Sequence, residues 1–223
     1  MCGGQGYYSV SVPLNHQLFG KVLDCPCTAP ARSARLQATC GLNSAERSIT
    51  LDDIAAAGPG TRQMVKAAQA FIETPRGFLT LWGGPGNAKT MVLQAIVNQA
   101  IGLGRMAVYI TMLDLLDYIR EAYAERQSQI HESASRRLSR YANVEVLCID
   151  EVDKVKTTDW TVERETALFD IRYRSGLVWS AGTVLAMNAN PATLPDWIYS
   201  RLSDGRNTII ENADPDLRRY MKD

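Results

Sequence analysis

The sequence lacks an excess of charge of either sign: Lys and Arg number 24 together, and so do Asp and Glu. That balance argues neither for nor against a nucleic-acid partner, so any basic surface has to be local. No uninterrupted apolar run reaches about 18 residues, which speaks against a membrane-spanning helix and a membrane partner. Met1 to Gly6 has neither the basic n-region nor the apolar h-region of a signal peptide. No internal repeat is visible. Cysteines are few and odd in number, five in all, which does not suit a disulfide framework; a reducing, cytoplasmic compartment is expected.

Apolar residues are plentiful. They make up 46% of 223 residues against 22% charged, enough for a sizeable core in one domain with an appendage, or in two small domains. The organising stretch is Gly83-Gly84-Pro85-Gly86-Asn87-Ala88-Lys89-Thr90. Before it, Gly77 to Trp82 reads as a buried strand. After it, Met91, Val92, Ala95, Ile96 and Gln99 fall at helical spacing. A strand, a Gly-rich turn and a helix are the setting of a phosphate-binding loop. Glycines let successive N–H groups line an anion nest, and the positive end of the helix points at the same place. Lys89 is expected to reach the β- and γ-phosphates of ATP, and Thr90 to hold Mg²⁺ through its hydroxyl. The pattern G-x-x-x-x-G-K-[ST] is complete except that Ala88 stands where the second glycine belongs. If that position needs positive φ, alanine costs about 1–2 kcal/mol there. The alternative reading is a Gly/Pro turn that merely precedes a helix.

The second strong signal is Val144 to Ile149, a strand ending in Asp150-Glu151. Two carboxylates beside the phosphate loop suit an ATPase: Asp150 for Mg²⁺, commonly through water, and Glu151 to orient the attacking water. Cys148 reads as a small core residue. Further strands are expected at 105–110, 182–187 (followed by Asn188) and 207–211. Helices are expected at about 60–74, 113–123, 160–174 and 194–203. Alternation with helical crossovers predicts a five-stranded parallel sheet covered on both faces, binding its ligand at the carboxyl ends of the strands.

Residues 1–47 read as a separate Cys-rich module and 48–223 as the ATPase domain. The module has little helical periodicity. Cys2-Gly3-Gly4-Gln5-Gly6-Tyr7 resembles a zinc knuckle, and Cys25-Pro26-Cys27 could add two ligands, with Cys40 or His16 completing four. The alternative is an arm with free thiols. Arg136, Arg137 and Arg140, with Tyr141, form the clearest local basic cluster. It is a candidate single-stranded DNA contact or, alternatively, a solvated helix face.

In order, the phosphate loop, Asp150-Glu151, the strand before Asn188 and Ser200-Arg201-Leu202 resemble the AAA+ ATPase core. More narrowly, residues 48–223 resemble the DnaC/IstB-type ATPases, the helicase loaders and transposition helpers, through Pro75 to Gly83 and Leu194 to Asp204. The resemblance implies an AAA+ fold with no C-terminal helical lid and slow, assembly-dependent ATP hydrolysis. It also implies a replicative helicase and single-stranded DNA as partners, and self-association through the ATP site. On that resemblance, Asn188 takes the sensor position that helps place the lytic water, and Arg201 the arginine finger acting on a neighbour's ATP. A transposition helper and a nucleotide-binding scaffold with little hydrolysis stand as alternatives.

Overall fold

The computed structural model describes residues 2–54, 58–124, 132–178 and 181–217. Its frame is a sheet of five parallel strands: β3 (Gly77–Gly83), β4 (Ala107–Thr111), β5 (Val146–Asp150), β6 (Gly182–Met187) and β7 (Thr208–Asn212), in the order β4-β5-β6-β3-β7. Every residue of β5 and β6 is buried. Continuous apolar runs of this kind are what a sheet covered on both faces requires.

The covering helices are α2 (Pro59–Glu73), α3 (Lys89–Gly102), α4 (Met112–Ala124), α5 (Ala134–Ala142), α6 (Asp159–Val178) and α7 (Asp196–Leu202). Two apolar clusters lie on opposite faces of the sheet. One joins α2 and α3 to it through Met64, Ile72, Leu93 and Ile96. The other joins α4 to α7 through Leu115, Ile119, Phe169, Ile198 and Leu202. Phe78 and Phe169 stack across the second with ring centroids 5.9 Å apart. Among the described residues no helix is long and apolar enough to cross a membrane.

The N-terminal segment carries more regular structure than its sequence suggests. A short antiparallel hairpin, β1 (Tyr7–Ser9) with β2 (Val22–Asp24), leads into helix α1 (Ala29–Thr39). Helix α1 buries none of its residues, so it has no apolar stripe to betray it. Its Ala, Arg, Leu and Gln content is nevertheless strongly helix-forming. Beyond its end, Cys40 and Leu42 join the core of the sheet domain. The backbone of Cys40 meets the outer strand directly: Tyr109 donates its N–H to the Cys40 carbonyl at 2.8 Å. A Cβ at the neighbouring Gly41 would sit 2.0 Å from the Tyr109 carbonyl oxygen, so only glycine permits this approach.

Between α6 and the sheet lies Arg172, a fully buried cation. It donates to Thr183 Oγ1 at 2.8 Å, to the Ala142 carbonyl at 3.1 Å, and to the Val144 and Gly182 carbonyls. Burial pushes its guanidinium down to about 10. Hydrogen bonds from a charged donor are the stronger kind, and carbonyls left without one in a dry core are costly. Arg172→Leu is therefore expected to lower unfolding free energy by about 3 kcal/mol or more. Urea denaturation followed by far-UV circular dichroism measures this; a loss within about 0.5 kcal/mol, the range of ordinary surface changes, would refute the bracing role.

Candidate nucleotide-binding site

At the carboxyl ends of the strands lies a cavity of about 440 Å³. Pro85 to Thr90, Asp150, Glu151, Asp153, Lys154 and Asn188 line it, with Asp53, Ile54, Met91, Met187 and Leu217. The fold thus brings together the loop, Asp150, Glu151 and Asn188, which lie on three different strand ends.

The loop begins where β3 ends. Gly83 has φ +139°, and a Cβ there would fall 2.1 Å from the Asn212 carbonyl oxygen, so the position excludes side chains. Asn87 and Asn212 hold the loop through a reciprocal pair. Asn87 Nδ2 donates to the Asn212 carbonyl at 2.8 Å, and Asn212 Nδ2 donates to the Asn87 carbonyl at 2.9 Å. Both side chains are buried. Lys89 Nζ donates to the carbonyls of Gly83 and Gly84, each at 2.7 Å, and to Asn87 Oδ1 at 2.8 Å. Its ammonium is therefore held against the loop by the oxygens of Gly83, Gly84 and Asn87. The segment after β7 returns to the same place. Leu217 donates its N–H to the Gly86 carbonyl at 2.9 Å. Asp214 caps α2, accepting from the N–H groups of Gly60 (3.0 Å) and Thr61 (2.6 Å). Burial alone would raise the Asp214 carboxyl, but these bonds outweigh it and hold the group below its usual range.

Thr90 Oγ1 donates to Asp150 Oδ2 at 2.7 Å, and the Tyr109 hydroxyl donates to the same oxygen at 3.0 Å. Burial and then the Asp150 charge push the Tyr109 phenol well above its ordinary range, so it remains a neutral donor. Glu151 follows in the left-handed region, φ +56°, with its N–H on Asp150 Oδ1 at 2.8 Å. Its carboxylate pairs with Lys154, and that hydrogen bond raises the Lys154 ammonium above its usual value. Asp153 accepts the N–H groups of Asn188 (3.0 Å) and Ala189 (2.8 Å) on one oxygen. This ties the end of β6 to the end of β5.

Arg201 does not reach this cavity. It lies on α7, ion-paired with Asp170, donating to the Trp197 carbonyl and flanked by the Trp197 and Tyr173 rings at 5.9 and 6.0 Å. The basic cluster divides. Arg136 is exposed on α5. Arg140 is exposed and pairs with Glu132 at 3.1 Å. Arg137 is buried, donates to the Tyr118 carbonyl at 2.7 Å and stacks on the Tyr118 ring. It is an internal brace between α4 and α5, which corrects its reading as a phosphate contact. Cys40 is likewise corrected as a metal ligand: it is buried in the core, with its thiol on the Gln37 carbonyl at 3.2 Å.

Tyr109, Asp153, Asn212, Asp214 and Leu217 escaped the sequence reading. Only Asp153 carried a signal, as an acid three residues after Asp150. The others depend on which strands become neighbours.

This geometry defines a P-loop nucleotide-binding α/β domain. Residues 79–176 match the model of the ATPase family associated with various cellular activities (AAA). Among curated proteins it is 28% identical over 170 residues to the chromosomal replication initiator protein DnaA of Corynebacterium aurimucosum, covering 72% of this chain and 29% of that protein. The chain therefore spans less than a third of that relative's length. Among solved structures, the DnaC helicase loader matches with a TM-score of 0.62 at 17% identity, over 76% of this chain and 99% of that one. The replication initiator DnaA bound to AMPPCP and single-stranded DNA matches with a TM-score of 0.64 at 20% identity, over 76% of this chain and 50% of that one. At such identities the likeness is one of fold.

Ala88 and Glu151 are the two non-glycine residues with positive φ among the described residues, and both line the cavity. Ala88, at φ +66°, occupies the position where the loop pattern calls for glycine. Ala88→Gly is expected to remove about 1 kcal/mol of backbone strain, less the added entropy of the unfolded chain. It should raise the urea midpoint and leave the slope unchanged; a lowered midpoint would show that the alanine methyl is needed for packing against α3.

Proposed function

We propose that this chain is an ATP-binding and ATP-hydrolysing accessory of DNA replication, a cytoplasmic helicase loader that works as an assembly. The observation that carries the reading is the convergence of Lys89, Thr90, Asp150, Glu151 and Asn188 on one cavity. The residues fit ATP with Mg²⁺. The loop and the start of α3 offer N–H donors and a positive end to phosphate. Thr90 Oγ1 and Asp150 Oδ2, 2.7 Å apart, are the hard oxygen donors that Mg²⁺ takes. When bound, the ion neutralises charge on the phosphate oxygens.

In this reading Lys89 exchanges its loop carbonyls for phosphate oxygens. Glu151 accepts a hydrogen bond from the attacking water and orients it, after parting from Lys154. Asn188, fixed through Asp153, supplies a second anchor for that water. Arg201 serves the neighbouring subunit. Its ion pair with Asp170 is partly buried, the two side chains being 27% and 29% exposed, and moving Arg201 onto a neighbour's phosphate exchanges one anionic partner for another. The loader reading is supported by the likeness to DnaC and DnaA folds, and the partners it implies are a replicative helicase and single-stranded DNA.

Lys89→Ala should weaken binding of a fluorescent ATP analogue by about 10- to 100-fold, the worth of one or two charge-assisted bonds. Arg201→Ala should bind ATP normally and lose hydrolysis by about tenfold or more. Mixed with Glu151→Gln it should regain activity, because some interfaces then pair an intact finger with an intact site. Turnover per subunit that is independent of protein concentration, with no recovery on mixing, would defeat the trans assignment.

Arg136 and Arg140 are the proposed phosphate partners on α5. Replacing both by alanine should reduce the salt slope of single-stranded DNA binding by about 0.7 for each phosphate no longer neutralised. An unchanged slope and affinity would leave α5 as a solvated face.

A further inference from the structure

Residues 2–28 form a unit with almost nothing to hold it together. Two strands of three residues each pair through Tyr7 with Asp24, Tyr8 with Leu23 and Ser9 with Val22. Tyr7, Leu14, Phe19 and Val22 are exposed, and Cys25 is the single buried side chain described in this stretch. A lone hairpin of this size is marginal in water at best. Units too small for a core are held by a cross-link, either a disulfide or a metal.

The structure places three thiols where such a cross-link would sit. The sulfurs of Cys2, Cys25 and Cys27 all lie within 4.8 Å of one another, and those of Cys2 and Cys27 are 3.4 Å apart. They arrive from both strands at the open end of the hairpin, Cys2 before Tyr7 and Cys25 and Cys27 after its partner Asp24. Cys25 extends the strand pairing by donating its N–H to the Gly6 carbonyl at 2.8 Å. Cys2 enters through a turn closed by Gln5 N–H on the Cys2 carbonyl at 3.0 Å. Gly3, Gly4 and Gly6 all have positive φ, so the backbone curls around the Cys2 sulfur as an ordinary residue would not allow. On the other side, Thr28 donates its N–H (2.9 Å) and its hydroxyl (2.7 Å) to the Cys25 carbonyl, which fixes the Cys25-Pro26-Cys27 turn.

We propose that Cys2, Cys25 and Cys27 are three thiolate ligands of one structural zinc ion that staples the hairpin. Tetrahedral thiolate zinc has bonds of about 2.3 Å, which sets its sulfurs about 3.8 Å apart; the observed triangle needs only small side-chain adjustments to meet that spacing. A disulfide uses two of the three sulfurs and leaves the third stranded beside it, whereas a metal uses all three. Cys40 is not a fourth ligand, being in the sheet core. His16 stands outside the thiol cluster, with its Nδ1 accepting the Leu18 N–H at 3.1 Å. The fourth position therefore belongs to a ligand from outside this cluster.

The full chain, purified without chelator, should contain about one equivalent of zinc. Cys2→Ser and Cys27→Ser, both away from any core, should reduce it at least several-fold, while His16→Ala leaves it unchanged. Bound zinc should also shield the three thiols from iodoacetamide, and a strong chelator should expose them, as read peptide by peptide in a mass spectrometer. Cobalt should give the intense thiolate charge-transfer band in the wild type and not in Cys27→Ser. Metal-free protein whose three thiols alkylate at the same rate with and without added zinc would overturn the proposal. So would a Cys2–Cys27 disulfide in protein prepared under reducing conditions.

Discussion

The site depends on one constraint: the phosphate loop is held from outside itself. A Gly-rich loop is entropically costly to order, and its N–H groups form a nest only if the curve is fixed beforehand. The reciprocal amides of Asn87 and Asn212 provide this, because each bonds the other's backbone carbonyl in a buried setting. Asn212 is the last residue of β7, and β7 pairs with β3, the strand that delivers the loop. The loop's curvature therefore follows from sheet register. A one-residue slip of β7 would invert its faces and remove Asn212 from the loop.

Electrostatics around the cavity follow a similar economy of fixed positions. One Asp150 oxygen receives Thr90 and Tyr109, the other receives the Glu151 N–H, so the carboxylate is oriented from β4, β5 and α3 together. Asp153 then relates Asn188 to the same strand end. The left-handed backbone at Glu151 carries strain of about 1–2 kcal/mol and turns the chain sharply just where β5 stops. That turn sends Lys154 back toward the Glu151 carboxylate, which gives the glutamate a local partner.

Much of this was legible beforehand. The strand-loop-helix around Lys89 and the strand ending in Asp150-Glu151 are local patterns, and each lies where its residues predict. The five parallel strands follow from alternating apolar runs and helical crossovers. Helix α1 was not legible because periodicity detects a buried face and α1 has none. Arg137 and Arg136 are adjacent and chemically identical, and only the packing of α5 on α4 decides which of them is internal. Cys40 shares its residue type with the hairpin cysteines, yet its position beside β4 commits it to the core. Asn212 and Asp214 are polar residues near the end of the described chain whose roles exist only once β7 lies beside β3.

The meeting of Cys40 and Gly41 with Tyr109 has a consequence for how the molecule keeps to itself. Strand β4 is an outer strand of an open sheet, and an open edge is a template for another chain's backbone. The Cys40 carbonyl occupies a Tyr109 N–H on that edge, and the chain at Gly41 runs so close that no second strand could lie flat against it. The sheet is thereby finished on the β4 side by a stretch of irregular backbone, and the glycine that permits the approach also blocks growth of the sheet by accretion.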